Sequence, residues 1–301
     1  MPMAEVERTL EGLNTKCRPV VCVILVEEVL ANHFDSTKNQ TIVNQMIQAI
    51  LRCYPYWVDH PLELVFRELV LGEQIKDIGL GTTQAKQLYN ALTAPDSVSP
   101  DLRAWMDKRY FEKKERLAQR EKKQEWFKET VPVELLRPQD LATFVTNGNS
   151  FLEMAFSKPS WKQILLGASL GQVWNRDTWH SNSAAQIDAV FAKLDYKTLL
   201  KLPFTYSYLL LELLYDFAPI TKIGPQKSEK SNLQVLSGKK KKQINNEEDQ
   251  EYVATALHCD RLLTCDTEMH RMADMFREAR KWKGTCILMP PKEADQLERY
   301  C

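Results

Sequence analysis

The sequence lacks the features that mark several large classes of protein. It contains no apolar run approaching the ~20 residues that cross a bilayer, and its opening MPMAEVERTLEG lacks the basic and apolar segments of a secretory signal. Only 10 of its 301 residues are glycine, which excludes a fibrous or low-complexity chain. Neither sign of charge dominates, because 40 Lys and Arg balance 40 Asp and Glu. We therefore expect a globular protein outside the membrane, in which only local patches bind polyanions.

Cysteine and histidine do not form the usual framework patterns. The seven cysteines are scattered and include no CxxC pair, which suits a reducing compartment and predicts a cytoplasmic location. The five histidines show neither HxxxH nor HExxH spacing. A structural zinc site is therefore not expected.

Short apolar segments alternate with helical patterns at both ends of the chain. The run PVVCVILV at 19–26 is typical of a strand buried on both faces of a parallel sheet. Near the C-terminus we expect a helix over 249–258, a strand over 261–264, a helix over 268–281 and a strand over 285–289. Strands that alternate with helices favour a βαβ arrangement, so these strands and the first one are expected in one parallel sheet.

Helical periodicity dominates the middle of the chain. Apolar residues fall on one helical face at 42–51, and a second apolar stripe covers 62–71. The stretch 101–129 mixes ten Lys or Arg and seven Asp or Glu with five aromatic residues, which is typical of one long solvated helix. Further helical periodicity covers 139–200 and is interrupted at Pro159.

The most informative stretch begins at Asp249. An acid opens a predicted helix, a short strand ends in Thr264-Cys265-Asp266, and a final strand follows in GTCILMP at 284–290. Asp249 and Asp266 are therefore expected at the same edge of a parallel sheet, where such folds bind their ligands. This stretch, over 249–291, resembles the PIN domain family, whose members are three-layer α/β/α folds.

The resemblance implies an acidic site that binds Mg²⁺ or Mn²⁺ and, in many members, cleaves RNA. Asp249 is similar to the family's helix-opening aspartate, and Asp266 is similar to the aspartate after its penultimate strand. Glu212, in LPFTYSYLLLELLYDF at 202–217, is similar to the family's glutamate in an apolar helix. The family's first acid follows the opening strand, usually as Asp-x-Asn, and this chain has Glu27-Glu28 there, with Asp35 as the alternative. The predicted metal ligands are Glu212, Asp249 and Asp266, with Glu27 as a fourth catalytic acid.

There is a physical reason why several carboxylates at one site bind a hard cation. Carboxylates that share a site repel one another, which raises their pKa values unless a cation neutralises them. Mg²⁺ prefers oxygen ligands, and a bound ion can activate water and stabilise charge on a phosphodiester. Each acid also has a purely structural interpretation, in which Asp249 and Asp266 cap helices and Glu212 is a paired or protonated core residue.

The predicted fold class is α/β. It is a three-layer α/β/α PIN-like domain with a parallel sheet, built from residues 1–35 and 200–301 and interrupted by a large, mostly α-helical insertion over 36–199. A run of four lysines precedes the acidic stretch, and it is either a solvated loop or a contact for the nucleic-acid backbone. These are Lys239, Lys240, Lys241 and Lys242.

A second motif lies at 75–92, IKDIGLGTTQAKQLYNAL. Gly79, Gly81 and Thr82 resemble the hairpin of a helix-hairpin-helix, in which free N–H groups and a helix N-terminus contact phosphate without reading bases. The stretch 25–55 also has some similarity to the first half of helix-hairpin-helix DNA glycosylases. The plain alternative is a glycine-rich turn between two helices.

Three functions remain open on the sequence. The first is a metal-dependent nuclease, foremost an endoribonuclease, with RNA favoured over DNA and a homodimer left open. The second is a catalytically degenerate PIN-like module that binds nucleic acid or protein. The third is a helix-hairpin-helix DNA-repair protein, which predicts an all-helical N-terminal half with no strand at 20–26.

Overall fold

The computed structural model describes the chain in blocks, namely residues 19–52, 55–100, 103–104, 129, 141–167, 170, 184–221, 249–264, 266–280 and 283–288. Helices make up most of these residues, and the strands form two small parallel sheets. The chain is therefore of the mixed α/β kind, with helix predominant. Within these blocks, no helix combines the length and the apolar character that crossing a membrane requires.

The first sheet is built from two strands of three residues each. β1 (Val20–Cys22) pairs in parallel with β2 (Tyr56–Val58). Two helices, α1 (Val23–Phe34) and α2 (Gln40–Arg52), connect the strands and pack against each other. This crossover gives the N-terminal part a small βααβ unit of its own.

The strand predicted over 19–26 is wrong beyond Cys22. From Val23 the chain is helical, and the side chains of Val23, Ile24, Val26, Val29 and Leu30 are buried. β2 pairs with only three residues of β1, and the rest of the run satisfies its backbone hydrogen bonds internally as a helix. A continuous apolar run does not by itself distinguish a buried strand from a buried helix. The acid pair at 27–28 therefore lies within a helix and not at the end of a strand.

The remaining helices follow in chain order. They are α3 (Pro61–Leu69), α4 (Thr82–Thr93), α5 (Leu141–Ser157), α6 (Pro159–Leu166), α7 (Ala184–Lys193), α8 (Tyr196–Leu199), α9 (Pro203–Thr221) and α10 (residues 249–256). The helices predicted over 42–51 and 62–71 are confirmed as α2 and α3. Of the long helix predicted over 101–129, only residues 103, 104 and 129 are described, and all three are helical.

The C-terminal elements confirm the predicted alternation of strand and helix. β3 (Arg261–Thr264) pairs in parallel with β4 (Thr285–Leu288), and α11 (Thr267–Arg280) connects them and packs on both. The expectation that the first strand joins this sheet is wrong, because among the described strands β1 pairs with β2 and β3 with β4. Within the described residues, the three-residue β1 pairs with β2, the strand closer to it in sequence.

One large hydrophobic core connects the two ends of the chain with the segment between them. Its buried side chains run from Cys22 near the N-terminus to Phe276 on α11, and they include Phe66 on α3 and Phe151 on α5. Helices assigned to the predicted insertion therefore bury their apolar faces against the same core as the N- and C-terminal elements. A second, smaller cluster lies between α1, α2 and α4.

Gly79 is held in a tight place beside β2. The segment 78–80 pairs antiparallel with this strand, through a bridge between Val58 and Gly79. The N–H of Gly79 donates to Asp77 Oδ1 at 2.8 Å, and the same oxygen accepts from the Tyr56 hydroxyl. A Cβ at this position would overlap that hydroxyl. The sequence therefore needs glycine here for close approach of a neighbouring side chain.

Gly79→Ala is expected to destabilise the fold by about 1–3 kcal/mol, because the Tyr56 ring must move away from Asp77 to make room. Urea unfolding measures the change. Gly167→Ala is the control: Gly167 has ordinary helical angles and no neighbour that a Cβ would meet, so it is expected to be neutral or slightly stabilising. Equal stability of the two variants would contradict this account of Gly79.

Candidate functional site

Acidic residues from the two ends of the chain meet beside α10. Glu27 and Glu28 lie on α1, in the turn that follows the buried Val23 and Ile24. The Tyr252 hydroxyl on α10 donates a hydrogen bond of 2.6 Å to Glu28 Oε2, across 224 residues of sequence. Asp249 is the first described residue of that same helix. The first predicted acid and the helix-opening aspartate are thus on neighbouring helices.

The electrostatics of this place show that several carboxylates share it. The pKa of the Cys22 thiol is raised to about 12, first by burial and then by the charges of Glu251, Glu27 and Glu28. Burial is also the first cause that raises the pKa of Tyr252 above its usual range, and the charge of Glu28 is the next. We call Glu27, Glu28 and Glu251 the acidic cluster. Its negative potential disfavours any further anion nearby.

His60 joins the acidic cluster from the other side. Its ring is buried, and Nδ1 accepts a hydrogen bond of 3.1 Å from the Leu62 N–H, so His60 caps the start of α3. The other ring nitrogen, Nε2, lies 3.6 Å from Oε1 of the buried Glu251. The Nδ1 acceptor role leaves the proton on Nε2, facing the carboxylate. The imidazole is therefore a polar neighbour of the buried Glu251 carboxylate.

Sequence reasoning did not single out Glu251, His60 or Tyr252. Glu251 lies two positions after Asp249, inside the motif. Because it is itself an acid, it could have been included among the candidate residues. The His60-Pro61 pair signals a helix start, because proline is common at the first helical position. No local pattern connects that start with α10, so their contact was not predictable.

Asp266 acts as a helix cap. Its Oδ1 accepts a hydrogen bond of 2.9 Å from the Met269 N–H, and its own N–H donates to Thr264 Oγ1 at 3.0 Å. The structural interpretation of Asp266 as an N-cap is confirmed. The carboxylate lies on the exposed surface at the C-terminal end of β3, which is the sheet edge at which the prediction put it.

Glu212 and Asp249 are both partly buried. Glu212 lies on α9 between the fully buried Leu211 and Leu213, and Asp249 lies at the first position of α10. Among the side chains described, no three of the His, Cys, Asp and Glu type are placed where one metal ion could bind them together. As they lie, the described residues do not form a site for Mg²⁺ or Mn²⁺.

The proposed phosphate-binding hairpin has its glycine amides engaged. The Gly79 N–H donates to Asp77 Oδ1, and the Gly81 N–H donates to Gln84 Oε1 at 3.1 Å. Thr82 begins α4, so Gly81 is its N-cap. The DNA-repair alternative predicted no strand at 20–26, and β1 is such a strand. Both observations favour the plain alternative, a glycine-rich turn before a helix.

The four lysines 239–242, which were the other predicted nucleic-acid contact, lie outside the described residues.

No protein-family model, no curated protein sequence and no solved structure matches this chain. The resemblance to PIN domains therefore rests on its motifs, and the geometry of the acidic residues carries the functional argument.

Proposed function

We propose that this chain is a PIN-like, metal-dependent nuclease of the cytoplasm, with single-stranded RNA as its favoured substrate and phosphodiester hydrolysis as its reaction. One observation carries the proposal: the hydrogen bond from Tyr252 to Glu28. It joins the acid pair of α1 to the helix that contains Asp249, and the PIN resemblance requires acids from these two parts of the chain to converge.

The charge of the acidic cluster explains why a cation is part of the proposal. Glu27, Glu28 and Glu251 lie close enough to raise the pKa of Cys22 together, after burial. A phosphodiester is itself an anion, so these carboxylates repel it unless a cation neutralises them. Mg²⁺ or Mn²⁺ is the cofactor that fits oxygen donors of this kind.

The cytoplasmic location in the proposal is supported by the free cysteines 22, 259 and 286, which suit a reducing compartment.

A second candidate is a PIN-like module that binds nucleic acid without cutting it. Two observations favour it: the described residues do not form an ion site, and the Asp266 carboxylate is engaged as a helix cap. In that protein the hydrogen bond from Tyr252 to Glu28 stabilises the contact of α1 with α10, and binding relies on basic surfaces elsewhere.

The experiment that separates the two candidates uses the full chain and end-labelled single-stranded RNA and DNA of the same sequence. We expect cleavage of the RNA in Mn²⁺ and none in EDTA. Faster cleavage of DNA would contradict the choice of substrate. Binding of the RNA without cleavage in Mn²⁺ or Mg²⁺ would establish the second candidate instead.

A further inference from the structure

Five lysines gather where α6, α7 and α8 meet. Lys162 on α6 donates hydrogen bonds from Nζ to the Ala192 carbonyl at 2.9 Å and to the Leu194 carbonyl at 3.0 Å. These bonds fix α6 against the C-terminal end of α7. Lys158, just before α6, holds its Nζ 4.0 Å from the centre of the Trp161 ring. We call Lys158, Lys162, Lys193, Lys197 and Lys201 the lysine surface.

The short helix α8 brings the last two lysines to the same place. Asp195 caps α8, accepting a hydrogen bond of 2.7 Å from the Thr198 N–H. Hydrogen bonds from Thr198 are the first cause that lowers the pKa of Asp195, and the charges of Lys197 and Lys201 lower it further. Both lysines therefore lie near the Asp195 carboxylate.

A ring contact fixes α8 beside the first of the lysines. The rings of Phe156 and Tyr196 lie 6.4 Å apart, so α8 packs against the end of α5, two residues before Lys158. The five lysines thus come from three neighbouring elements that are held by packing and by hydrogen bonds. Their arrangement is a property of the fold and not of one flexible loop.

Within the described residues, the positive charge of the lysine surface exceeds the negative charge that Asp195 brings to it. Lys158, Lys193, Lys197 and Lys201 are exposed, and none of them forms a salt bridge in the part of the chain that the structure describes. Asp195 is the carboxylate within the surface, and its oxygen is used by Thr198. Several unpaired lysines side by side repel one another, which leaves a strong local potential in a protein whose formal net charge is zero.

We propose that the lysine surface binds the phosphate backbone of single-stranded RNA. The inference deepens the proposed function, since it rests on RNA as the substrate. The acidic cluster repels RNA, so affinity has to come from elsewhere on the molecule, and exposed lysines bind successive phosphates without reading bases. Trp161 is already in contact with Lys158 Nζ and with the Phe151 ring, whose centre lies 6.2 Å from its own. Charge, and not stacking of bases on Trp161, is therefore the source of affinity that we propose for this surface.

The test compares two double variants that remove the same charge. Lys197→Gln/Lys201→Gln changes the lysine surface, and Lys38→Gln/Lys283→Gln changes two exposed lysines elsewhere. Fluorescence anisotropy measures binding of a labelled single-stranded RNA in EDTA, where no metal-dependent cleavage occurs, so failure of the nuclease proposal leaves this test intact. We expect the first variant to bind about tenfold more weakly at about 0.1 M salt, and the control to bind like the parent chain.

The salt dependence gives a second readout. The slope of log affinity against log salt is expected to fall by about 1.4 in the Lys197→Gln/Lys201→Gln variant, because each phosphate contact on a single strand contributes about 0.7. Lys197→Arg/Lys201→Arg is expected to retain the affinity. The proposal would be overturned if the parent chain did not bind RNA, or if the control variant lost as much affinity as Lys197→Gln/Lys201→Gln. It would also be overturned if Lys197→Gln/Lys201→Gln lost binding to anionic lipid vesicles and bound RNA like the parent chain.

Discussion

Asp266→Asn is expected to reduce metal-dependent cleavage of RNA by about 100-fold or more, because it removes a carboxylate that the PIN resemblance assigns to metal binding, at the exposed C-terminal end of β3. The fold should be unaffected. Asparagine caps helices about as well as aspartate, so the bond from the Met269 N–H to the side-chain oxygen is retained. Initial rates on a labelled single-stranded RNA in Mn²⁺ measure the effect.

Asp260→Asn is the matched control for this variant. Asp260 is exposed and lies immediately before β3, at the opposite end of the same strand. The substitution removes one carboxylate charge from the same βαβ unit, and we expect the cleavage rate to stay within about twofold of the parent rate. An unchanged rate in Asp266→Asn, or an equal loss in both variants, would contradict the assignment of Asp266.

Glu68→Gln is expected to lower the free energy of unfolding by about 3 kcal/mol. Glu68 on α3 is 3% exposed, and its carboxylate accepts three hydrogen bonds from the first turn of α9. They come from the Phe204 N–H at 3.2 Å, the Thr205 N–H at 2.6 Å and the Thr205 hydroxyl at 2.7 Å. The amide of glutamine has one oxygen and turns an NH₂ group toward these donors, and the negative charge at the helix N-terminus is lost.

Urea unfolding of Glu68→Gln and Glu73→Gln makes the comparison with the same chemical change. Glu73 is exposed and forms a surface ion pair with Arg67 at 2.8 Å, and such pairs contribute about 1 kcal/mol or less. A loss in Glu68→Gln no larger than the loss in Glu73→Gln would show that the contact between α3 and α9 is not what the structure implies.

Elements with a clear period or clear ends were predictable from the sequence. The helix over 42–51 was predictable from its apolar period, and Ile47 and Ile50 of the predicted face are buried. Ile42 and Met46 of that face are exposed, and Val43 is buried in their place. β3 ends at Thr264, as predicted, and Asp266 caps the helix that follows two residues later. In these places the local pattern and the tertiary packing favour the same structure.

Features that depend on distant partners were not predictable. Residues 23–26 could have continued β1, and they are helical where β2 offers no further partner. The bond between Glu68 and Thr205 joins residues 137 positions apart, and nothing in either segment signals the other. The same holds for His60 and Glu251. Pattern reasoning gives the elements, whereas tertiary contacts decide which acids are neighbours.

For the candidate site, the sequence predicted that the acids at 27–28 and at 249 lie close together, but not the contacts that they make. Placing Glu27-Glu28 near the helix of Asp249 followed from the motif resemblance, and the bond from Tyr252 to Glu28 supports it. The predicted set of three metal ligands did not include Glu251, whose buried carboxylate faces His60. A sequence shows which residues are carboxylates. It does not show which of them are buried or paired, because burial and pairing depend on the whole fold.

The most direct test of the central claim is an anomalous difference map from crystals of the full chain soaked in Mn²⁺. The account predicts one Mn²⁺ peak that is bound by a carboxylate of residues 27–28 and by another from Asp249, Glu251 or Asp266. A well-ordered acidic cluster with no peak at saturating Mn²⁺, or a peak bound only by acids elsewhere on the chain, would contradict it.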